Sequence, residues 1–509
     1  MTTGSKTGMP FAAASFSHLT RHRRFRDALA LTAGFCQPYA FAPYDHWWLG
    51  LFSHALLLFL WVREPRRAWW YGWLFGVAAF GLGLSWLYVS IHEVGGLPAV
   101  PAGALVLLFG ACLGLFPALA GWMLRPFARM CPAWILGMAV CVWVLTSWSR
   151  AWFLTGFPWL SPGAAYLDTP LAGFAPVLGG YGVELAALIT AAVLVYVWIP
   201  TASAKRSTAL GVVFLWLSGA LLHGVAWTQP AGEPLQVSLV QGNIDQVGKW
   251  RKDIRQMTLD RYRRLTQAEL GRDLIIWPET AVPAFLHQVR DGFIQALAEQ
   301  AEKAGSVLLI GVPILDPERR YYNAVLAVGA SAGEYRKRHL VPFGEYLPLA
   351  WLFRPLVDRI QIPMADFSPG AESQTPLQVK GTGVALGICY EDIFGAETAR
   401  FVGDGGVLAN VSNDAWFGDT AAPHQHHQMA RMRALETGRP MIRVSNTGLT
   451  GFIDEKGRLG ERLPLFRPGV LRGSVQPRGG STPYLWWLDW VVVGMVLSGM
   501  VLGLRVRGA

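Results

Sequence analysis

The sequence predicts a multi-span α-helical membrane domain joined to a water-facing α/β domain, and three observations predict it. Charged residues make up only 15% of the 509 residues and hydrophobic ones 52%, against roughly 25% charged in an ordinary soluble protein. Long apolar stretches fill the first 230 residues and recur once at the end, each near the roughly 20 residues that cross a bilayer. Between them, short apolar runs alternate with helix-like charged stretches, the pattern of a covered α/β sheet.

The apolar stretches fall at 26–43, 46–62, 69–91, 99–124, 132–151, 177–199 and 207–227, with an eighth at 484–504. The first two are short. Basic residues before the first stretch resemble a signal peptide, but no clear small-residue cleavage site follows, so the segment is expected to be retained. Arg21, Arg23, Arg24 and Arg26 precede the first span; Arg63, Arg66 and Arg67 separate the second from the third. Arg125 and Arg129 follow the fourth, Lys205 and Arg206 the sixth, and Arg505 and Arg507 the eighth. The alternate loops are nearly free of Lys and Arg, with Arg150 the exception. The positive-inside rule then puts both termini in the cytoplasm and residues 228–483 outside it. The 23 Trp residues suit the membrane–water boundary, where ring and N–H are both accommodated.

Three domains are expected: 1–227 with seven spans, 228–483 outside the membrane, and 484–509 with the last span and cytoplasmic end. In the middle one, strands are expected at 235–241, 273–277, 307–312, 324–328, 384–388, 406–411 and 441–445. Helices are expected at 252–270, 288–303, 393–402 and 426–436, and a linker at 478–483. The loop 152–176 is apolar yet broken by Gly156, Pro158, Pro162, Gly163 and Pro170, which rules out a clean helix. Two readings fit it, a segment lying at the membrane interface and an ordinary connection.

A formal charge of +10 raises the question of nucleic acid. Topology accounts for many of the cations, and no nucleic-acid module is visible, so no nucleic-acid partner is expected; anionic lipid is the better match. Of the five Cys residues, Cys36, Cys112, Cys131 and Cys141 lie in or beside apolar spans, and only Cys389 falls in the polar segment. No spacing suggests a zinc site or a disulfide framework.

Three residues stand where chemistry is placed in α/β folds, at the ends of strands. Cys389, in LGICYED, leaves an apolar strand directly for a polar stretch. A thiol with a pKa near 8.5 needs a base or a cation to become a nucleophile; a buried structural cysteine would occupy the same position. Glu279, in IIWPET, follows an apolar strand at once, where desolvation beside Trp277 and Pro278 would raise its pKa toward that of a general base. A first-turn helix acid reads the same way. Lys337, in YRKRHLVPFGEY, belongs to a cationic run that is ordinarily a solvated face, yet the run enters an apolar turn and then Glu345. An ammonium held by acids can stabilise an oxyanion.

Taken in order, a strand-end Glu, a Lys before HLVPFGE and a strand-end Cys in CYE resemble the nitrilase superfamily. With eight apolar spans around them, the chain is similar to the apolipoprotein N-acyltransferase family. The likeness runs through QGN (241–243), WPET (277–280), HLVPFGEY (339–346), GICYED (387–392), NVSNDAWFG (410–418), MARMRALE (429–436) and SNTG (445–448).

The resemblance implies a nitrilase-like αββα sandwich in the periplasm and a multi-pass location in the bacterial inner (cytoplasmic) membrane. It implies an acyltransferase in which Glu279 takes the thiol proton of Cys389 and Lys337 steadies the oxyanion. The sn-1 acyl chain of a phospholipid would pass to Cys389 as a thioester and then to the α-amine of the diacylglyceryl-cysteine at a lipoprotein N-terminus. That is the final step of lipoprotein maturation, with ping-pong kinetics. Glu345, Tyr390 and Glu391 are the supporting residues: the acids would hold Lys337, and the Tyr390 N–H would face the oxyanion. Trp250, Trp416 and Phe417 are the substrate contacts, with surface or core packing as their plain alternative. A membrane-tethered amidase that hydrolyses amides or esters is the alternative activity, and a scaffold or channel with an inert α/β domain is a further one.

No cofactor and no metal are expected, and the chain is expected to act as a monomer. His424, His426 and His427 read as solvated residues at a helix start, and 403–406 lacks the spacing of a nucleotide loop.

Overall fold

A computed structural model describes residues 22–199, 204–246, 248–351, 354, 366–403 and 405–508; Arg21 and the chain before it lie outside them. The first half is helical: α1 (Arg23–Cys36), α2 (Trp47–Arg63), α3 (Ala68–Gly83), α4 (Ala99–Leu113), α5 (Leu115–Met123), α6 (Pro132–Ser149), α7 (Ala175–Trp198) and α8 (Lys205–Gly224). Among the described residues, five helical runs are long and apolar enough to cross a membrane: Ala99–Phe127, Pro132–Ser149, Pro170–Trp198, Lys205–Gly224 and Trp490–Arg507. The expected stretches 26–43 and 69–91 are not single helices. The first stops at Cys36 and turns through Gln37–Ala40, because Pro38 has no amide with which to continue the ladder. The second ends in FGLG at Gly83, and the chain then winds through a π-helical Val89–Val94.

The second half carries the strands. They are β1 (Thr228–Pro230), β2 (Leu235–Gln241), β3 (Leu274–Ile276), β4 (Val307–Leu315), β5 (Tyr321–Gly329), β6 (Gly333–Arg336) and β7 (Leu377–Val379). There follow β8 (Thr382–Ile388), β9 (Val407–Ser412), β10 (Met441–Ser445), β11 (Gly451–Ile453), β12 (Leu459–Arg462), β13 (Gly469–Val475) and β14 (Arg478–Gly480). Two six-stranded sheets form, in the orders β13-β2-β3-β4-β5-β6 and β12-β11-β10-β9-β8-β7. The central pairs β2–β3, β3–β4, β8–β9 and β9–β10 are parallel. Parallel strands are stable only when both faces are covered, which is why β3 and β4 read as unbroken apolar runs and β8 and β9 are mostly apolar.

The sheets face each other across one core, with Val237, Leu239, Ile276 and Leu309 against Leu386, Ile388, Val411 and Val444. Outside the first sheet, α9 (Lys252–Gln267) and α10 (Gln295–Lys303) bury Tyr262 and Leu297 against Trp277 and Ile310. Outside the second lie α11 (Gly395–Val402) and α12 (Ala421–Thr437), which contribute Phe401, Val402, Ala430 and Ala434. The result is the four-layered αββα sandwich. The last helix, α13 (Trp490–Gly508), returns to the helical half.

Several expectations are corrected. The stretch 478–483 is no free linker: β14 pairs with β1, so the segment leaving the helical half is tied to the segment returning to it. The expected helix 288–303 is interrupted by a π turn at Arg290–Ile294. Strand β5 begins at Tyr321 rather than 324 and so includes Asn323. The loop 152–176 joins α6 to α7. Most of it is buried, folded into short 3-10 turns at Pro162–Tyr166 and Pro170–Phe174, while Trp152, Phe153 and Leu154 are exposed.

Arg150 departs from the charge rule for a structural reason. It is buried, and its guanidinium donates to the carbonyls of Phe157 and Trp159, which a Gly- and Pro-broken loop cannot satisfy by helix hydrogen bonds.

The two halves share a core. Tyr390, Ile393, Phe394, Met429, Met432 and Leu435 from the sandwich pack with Trp86, Trp159, Tyr166 and Leu171 from the helical half. Helix α12 is therefore buried along most of its length, with Ala421 and His424 partly exposed.

Candidate functional site

Glu279, Lys337 and Cys389 come from three different strand ends and meet at one edge of the sandwich. Glu279 follows β3 in a tight turn in which Thr280 takes a left-handed backbone, φ 45°. The turn can lie against β4 because position 311 is glycine: a Cβ there would stand 2.1 Å from the Pro278 carbonyl. Lys337 follows β6, its amide donating to the Asn323 carbonyl. Cys389 follows β8 with φ 51°, a conformation that costs a non-glycine residue on the order of 1 kcal/mol and persists only where the surroundings impose it.

The electrostatics are those of a buried cation between two acids. Lys337 is 1% exposed. Its ammonium lies 2.8 Å from Oε2 of Glu345 and 3.5 Å from Oε1 of Glu279. Asn323 bridges the same acids, its Nδ2 donating to Glu279 at 2.6 Å and to Glu345 at 2.9 Å. Burial pulls the Lys337 pKa down, but Glu345 and Glu279 outweigh it and hold it above the usual lysine range. Burial pushes the Cys389 thiol well above its ordinary value, Glu279 adds to the rise, and Lys337 pulls the other way. The sulfur is thus held as a neutral thiol at rest, within the field of both a carboxylate and an ammonium.

The supporting acids divide their work differently from the expectation. Glu345 holds Lys337. Glu391 does not; it clamps backbone instead, accepting from the amides of Ile388 at 2.7 Å, Arg338 at 2.8 Å and His339 at 3.2 Å, and from the Tyr335 hydroxyl. One carboxylate thereby fixes the strand that delivers Cys389 to the loop that delivers Lys337. Tyr390 uses its hydroxyl to donate to the Gly156 carbonyl at 2.9 Å, and its ring lies in the shared core.

Trp250 is 49% exposed, on a turn beside the site. Its neighbour Lys249 is buried and donates to Thr280 Oγ1 at 2.7 Å. Burial brings the Lys249 pKa down to about 8, against the opposing pull of Glu279. Trp416 is exposed, and its carbonyl accepts from Ser90 of the helical half at 2.8 Å. Phe417 packs edge-on against Trp86, with ring centroids 4.7 Å apart.

The histidines are corrected most. His426 and His427 are buried rather than solvated, and His424 is half-buried, because α12 begins at Ala421 and packs between the sandwich and the helical half. His426 sits under the cysteine turn. Its Nε2 is 2.8 Å from Asp392 and 3.1 Å from the Cys389 carbonyl; its Nδ1 is 3.0 Å from Asp414. Arg443, fully buried in β10, completes the group, donating to Asp392 at 2.6 Å and Asp414 at 3.4 Å. Burial and Arg443 disfavour a charge on His426, yet the two aspartates raise its pKa to about 9. Asn410 Nδ2 also donates to the Cys389 carbonyl, at 3.1 Å, so the strained turn is held from two sides. Among the described residues, no group of three or more His, Cys, Asp or Glu side chains stands in metal-ligand geometry.

Asn323, Lys249 and the group formed by His426, Asp392, Asp414 and Arg443 were not singled out from sequence. The usable signals were polar residues inside apolar strands, Asn323 in YYNAVLAV and Arg443 in MIRVS.

Residues 33–193 match the family described as the apolipoprotein N-acyltransferase N-terminal domain, and residues 236–484 match the carbon-nitrogen hydrolase family. A Methylococcus capsulatus protein named apolipoprotein N-acyltransferase is 44% identical over 486 residues, covering 94% of this chain and 96% of its own. A Pseudomonas aeruginosa protein of the same name is 43% identical over 495 residues, with the same coverage of 94% and 96%. Among solved structures, a carbon-nitrogen hydrolase from Helicobacter pylori G27 matches over 53% of this chain and 94% of its own, at 14% identity and a TM-score of 0.36.

Proposed function

This chain belongs to the apolipoprotein N-acyltransferase family, a membrane acyltransferase of lipoprotein biosynthesis, and on that premise we propose that it acts through a thioester on Cys389. Glu279 removes the thiol proton as the sulfur attacks the sn-1 ester carbonyl of a phospholipid. The C–O bond breaks, the proton goes to the departing lysophospholipid oxygen, and the acyl chain stays on sulfur. The α-amine of a diacylglyceryl-cysteine then attacks the thioester, its proton passes to Glu279, and Cys389 regains the thiol as the amide forms. A thiol raised by burial needs a base at the moment of attack, and Glu279 supplies it. Lys337, held charged by Glu345, faces the charge that develops on the carbonyl oxygen.

The observation that carries this reading is the position of Tyr390. The residue next to the thiol is buried in a core built with Trp86 and Trp159 of the helical half, so the sulfur stands at the junction of the α/β domain and the helices that contact lipid. Exposed Phe343, Leu349 and Trp351 on the segment after Lys337 offer apolar surface for acyl chains. We assign residues 1–227 to the membrane, 228–483 to the periplasmic side and 484–509 to the returning span. In that frame both anchored substrates reach Cys389 from the outer leaflet of the inner membrane, and Trp250, Trp416 and Phe417 lie where they would meet them.

Steady-state kinetics with phospholipid and a diacylated lipopeptide test the reading. Parallel double-reciprocal lines are expected; intersecting lines, or release of free fatty acid with no acylated peptide, would reject it.

A further inference from the structure

Two buried lysines act on Glu279, and the reaction drawn above uses one of them. Lys337 stands 3.5 Å from the Glu279 carboxylate and is shared with Glu345. Lys249 is the other. It is 1% exposed, and Glu279 is the charged group that acts on it.

The segment that carries Trp250 sets its place. Just after β2 the chain is pinned to the residues that follow β9 and β10. The Asn243 amide donates to the Asn446 carbonyl at 2.9 Å, the Ile244 amide donates to Asn446 Oδ1 at 2.9 Å, and Asn446 Nδ2 donates back to the Ile244 carbonyl at 2.8 Å. Asn413 Nδ2 donates to Gln246 Oε1 at 2.7 Å. Of Gly248, Lys249, Trp250 and Arg251, which lead into α9, only Lys249 is buried. Its ammonium crosses to the Glu279 turn and donates to Thr280 Oγ1 at 2.7 Å. The Trp250 segment is thereby joined to the turn in which Thr280 is held at φ 45°.

A lysine beside exposed neighbours ordinarily carries its head to water; this one turns inward. An ammonium has three N–H donors. Among the described residues, Thr280 is the one hydrogen-bond partner of Lys249, and no acid forms an ion pair with it. Burying a cation on a single neutral acceptor is costly. Burial lowers its pKa to about 8, and the pull of Glu279 is what opposes the fall. Such coupling is reciprocal: a carboxylate that favours the charged lysine is itself favoured as the anion by that lysine. A base must be that anion to take a proton.

We propose that Lys249 is a positioning residue for the base: held by Thr280, its ammonium fixes the Glu279 turn and favours the ionised Glu279 that accepts the Cys389 proton. Lys337 remains free to face the oxyanion, so the two lysines divide between them the two charges of the attack. The inference deepens the thioester reaction proposed above and rests on it.

The test reads the rate at which an acyl adduct forms on Cys389 in the full chain, with phospholipid in excess and no acceptor, from about pH 5 to 9. Thermal midpoints in detergent establish folding. Lys249→Gln keeps a donor for Thr280 and removes the charge. The acid limb of its pH profile should move up by about one unit, a loss of about ten-fold below the limb that disappears above it. Lys249→Arg keeps the charge and should leave the limb where the unmodified chain has it. A Lys249→Gln limb that coincides with that of the unmodified chain would overturn the proposal. So would a loss by one factor at every pH, which is what a merely structural role predicts. Should Lys249→Gln fail to fold, Lys249→Arg decides: an unmoved limb upholds the proposal, and a limb moved upward despite the retained charge overturns it. An unmodified chain that forms no adduct at any pH would reject the thioester reaction and this inference with it, so the two failures are told apart.

Discussion

The Lys337 ammonium lies 2.8 Å from the Glu345 carboxylate, and this pair, not the arginines and histidine on either side of Lys337, gives the cation its place. Buried charge is stable only when paired and hydrogen-bonded, and Asn323 ties Glu345 to Glu279, so both acids and the ammonium act as one unit.

Glu345→Gln should therefore damage the reaction without touching the nucleophile. Losing the nearest counter-charge frees the ammonium to move and weakens its charge. A fall of about 100-fold in kcat with little change in KM is expected, and Lys337→Met should cost at least as much. Rates of acyl transfer to a diacylated lipopeptide check it; a KM effect alone would place Glu345 in substrate binding.

His426 should position Cys389 and confer a pH dependence on stability. Its pKa rises from an ordinary 6.5 to about 9 in the folded chain. A group whose pKa is raised by folding stabilises fully below its unfolded value and loses that contribution as pH climbs through the folded one. The groups facing it are Asp392, Asp414 and Arg443. Thermal stability should thus decline from about pH 6.5 to above pH 9, and His426→Gln should flatten the decline and lower kcat. An unchanged pH profile in the folded variant would refute the assignment.

Arg150→Met should destabilise the junction. It strands the Phe157 and Trp159 carbonyls, each costing about 1–3 kcal/mol when buried and unpaired. A lower thermal midpoint in detergent is expected; an unchanged one would mean that the loop satisfies its own backbone.

Orientation is open to a labelling test. Asp253→Cys, on the exposed start of α9, should react with a membrane-impermeant maleimide in intact spheroplasts, and Arg66→Cys, between α2 and α3, should react only after lysis, each read above the parent chain's own cysteines. The reverse pattern would turn the assigned topology over.

What could be read from the sequence follows from which interactions are local. The strand-end placement of Glu279 and Cys389 was legible because apolar runs stop abruptly beside them, and β10 falls at 441–445 as expected. Strands β6, β7, β11, β12 and β14 were not legible: they are three or four residues long, β12 is exposed throughout, and their partners rather than their composition make them strands. His426 was misread for a related reason. HQHHQ is polar by composition, and only the distant Asp392 and Asp414 make it part of a core. The backbone contacts of Glu391 were not legible, because the amides it accepts from belong to a strand and a loop that meet only in the fold.

The most direct test is the mass of the intact chain after incubation with phospholipid and no acceptor. An adduct of one acyl chain should appear on Cys389, be absent from Cys389→Ala, be released by hydroxylamine and be discharged by a diacylated lipopeptide. Turnover with no adduct under those conditions, or with undiminished rate in Cys389→Ala, would contradict it.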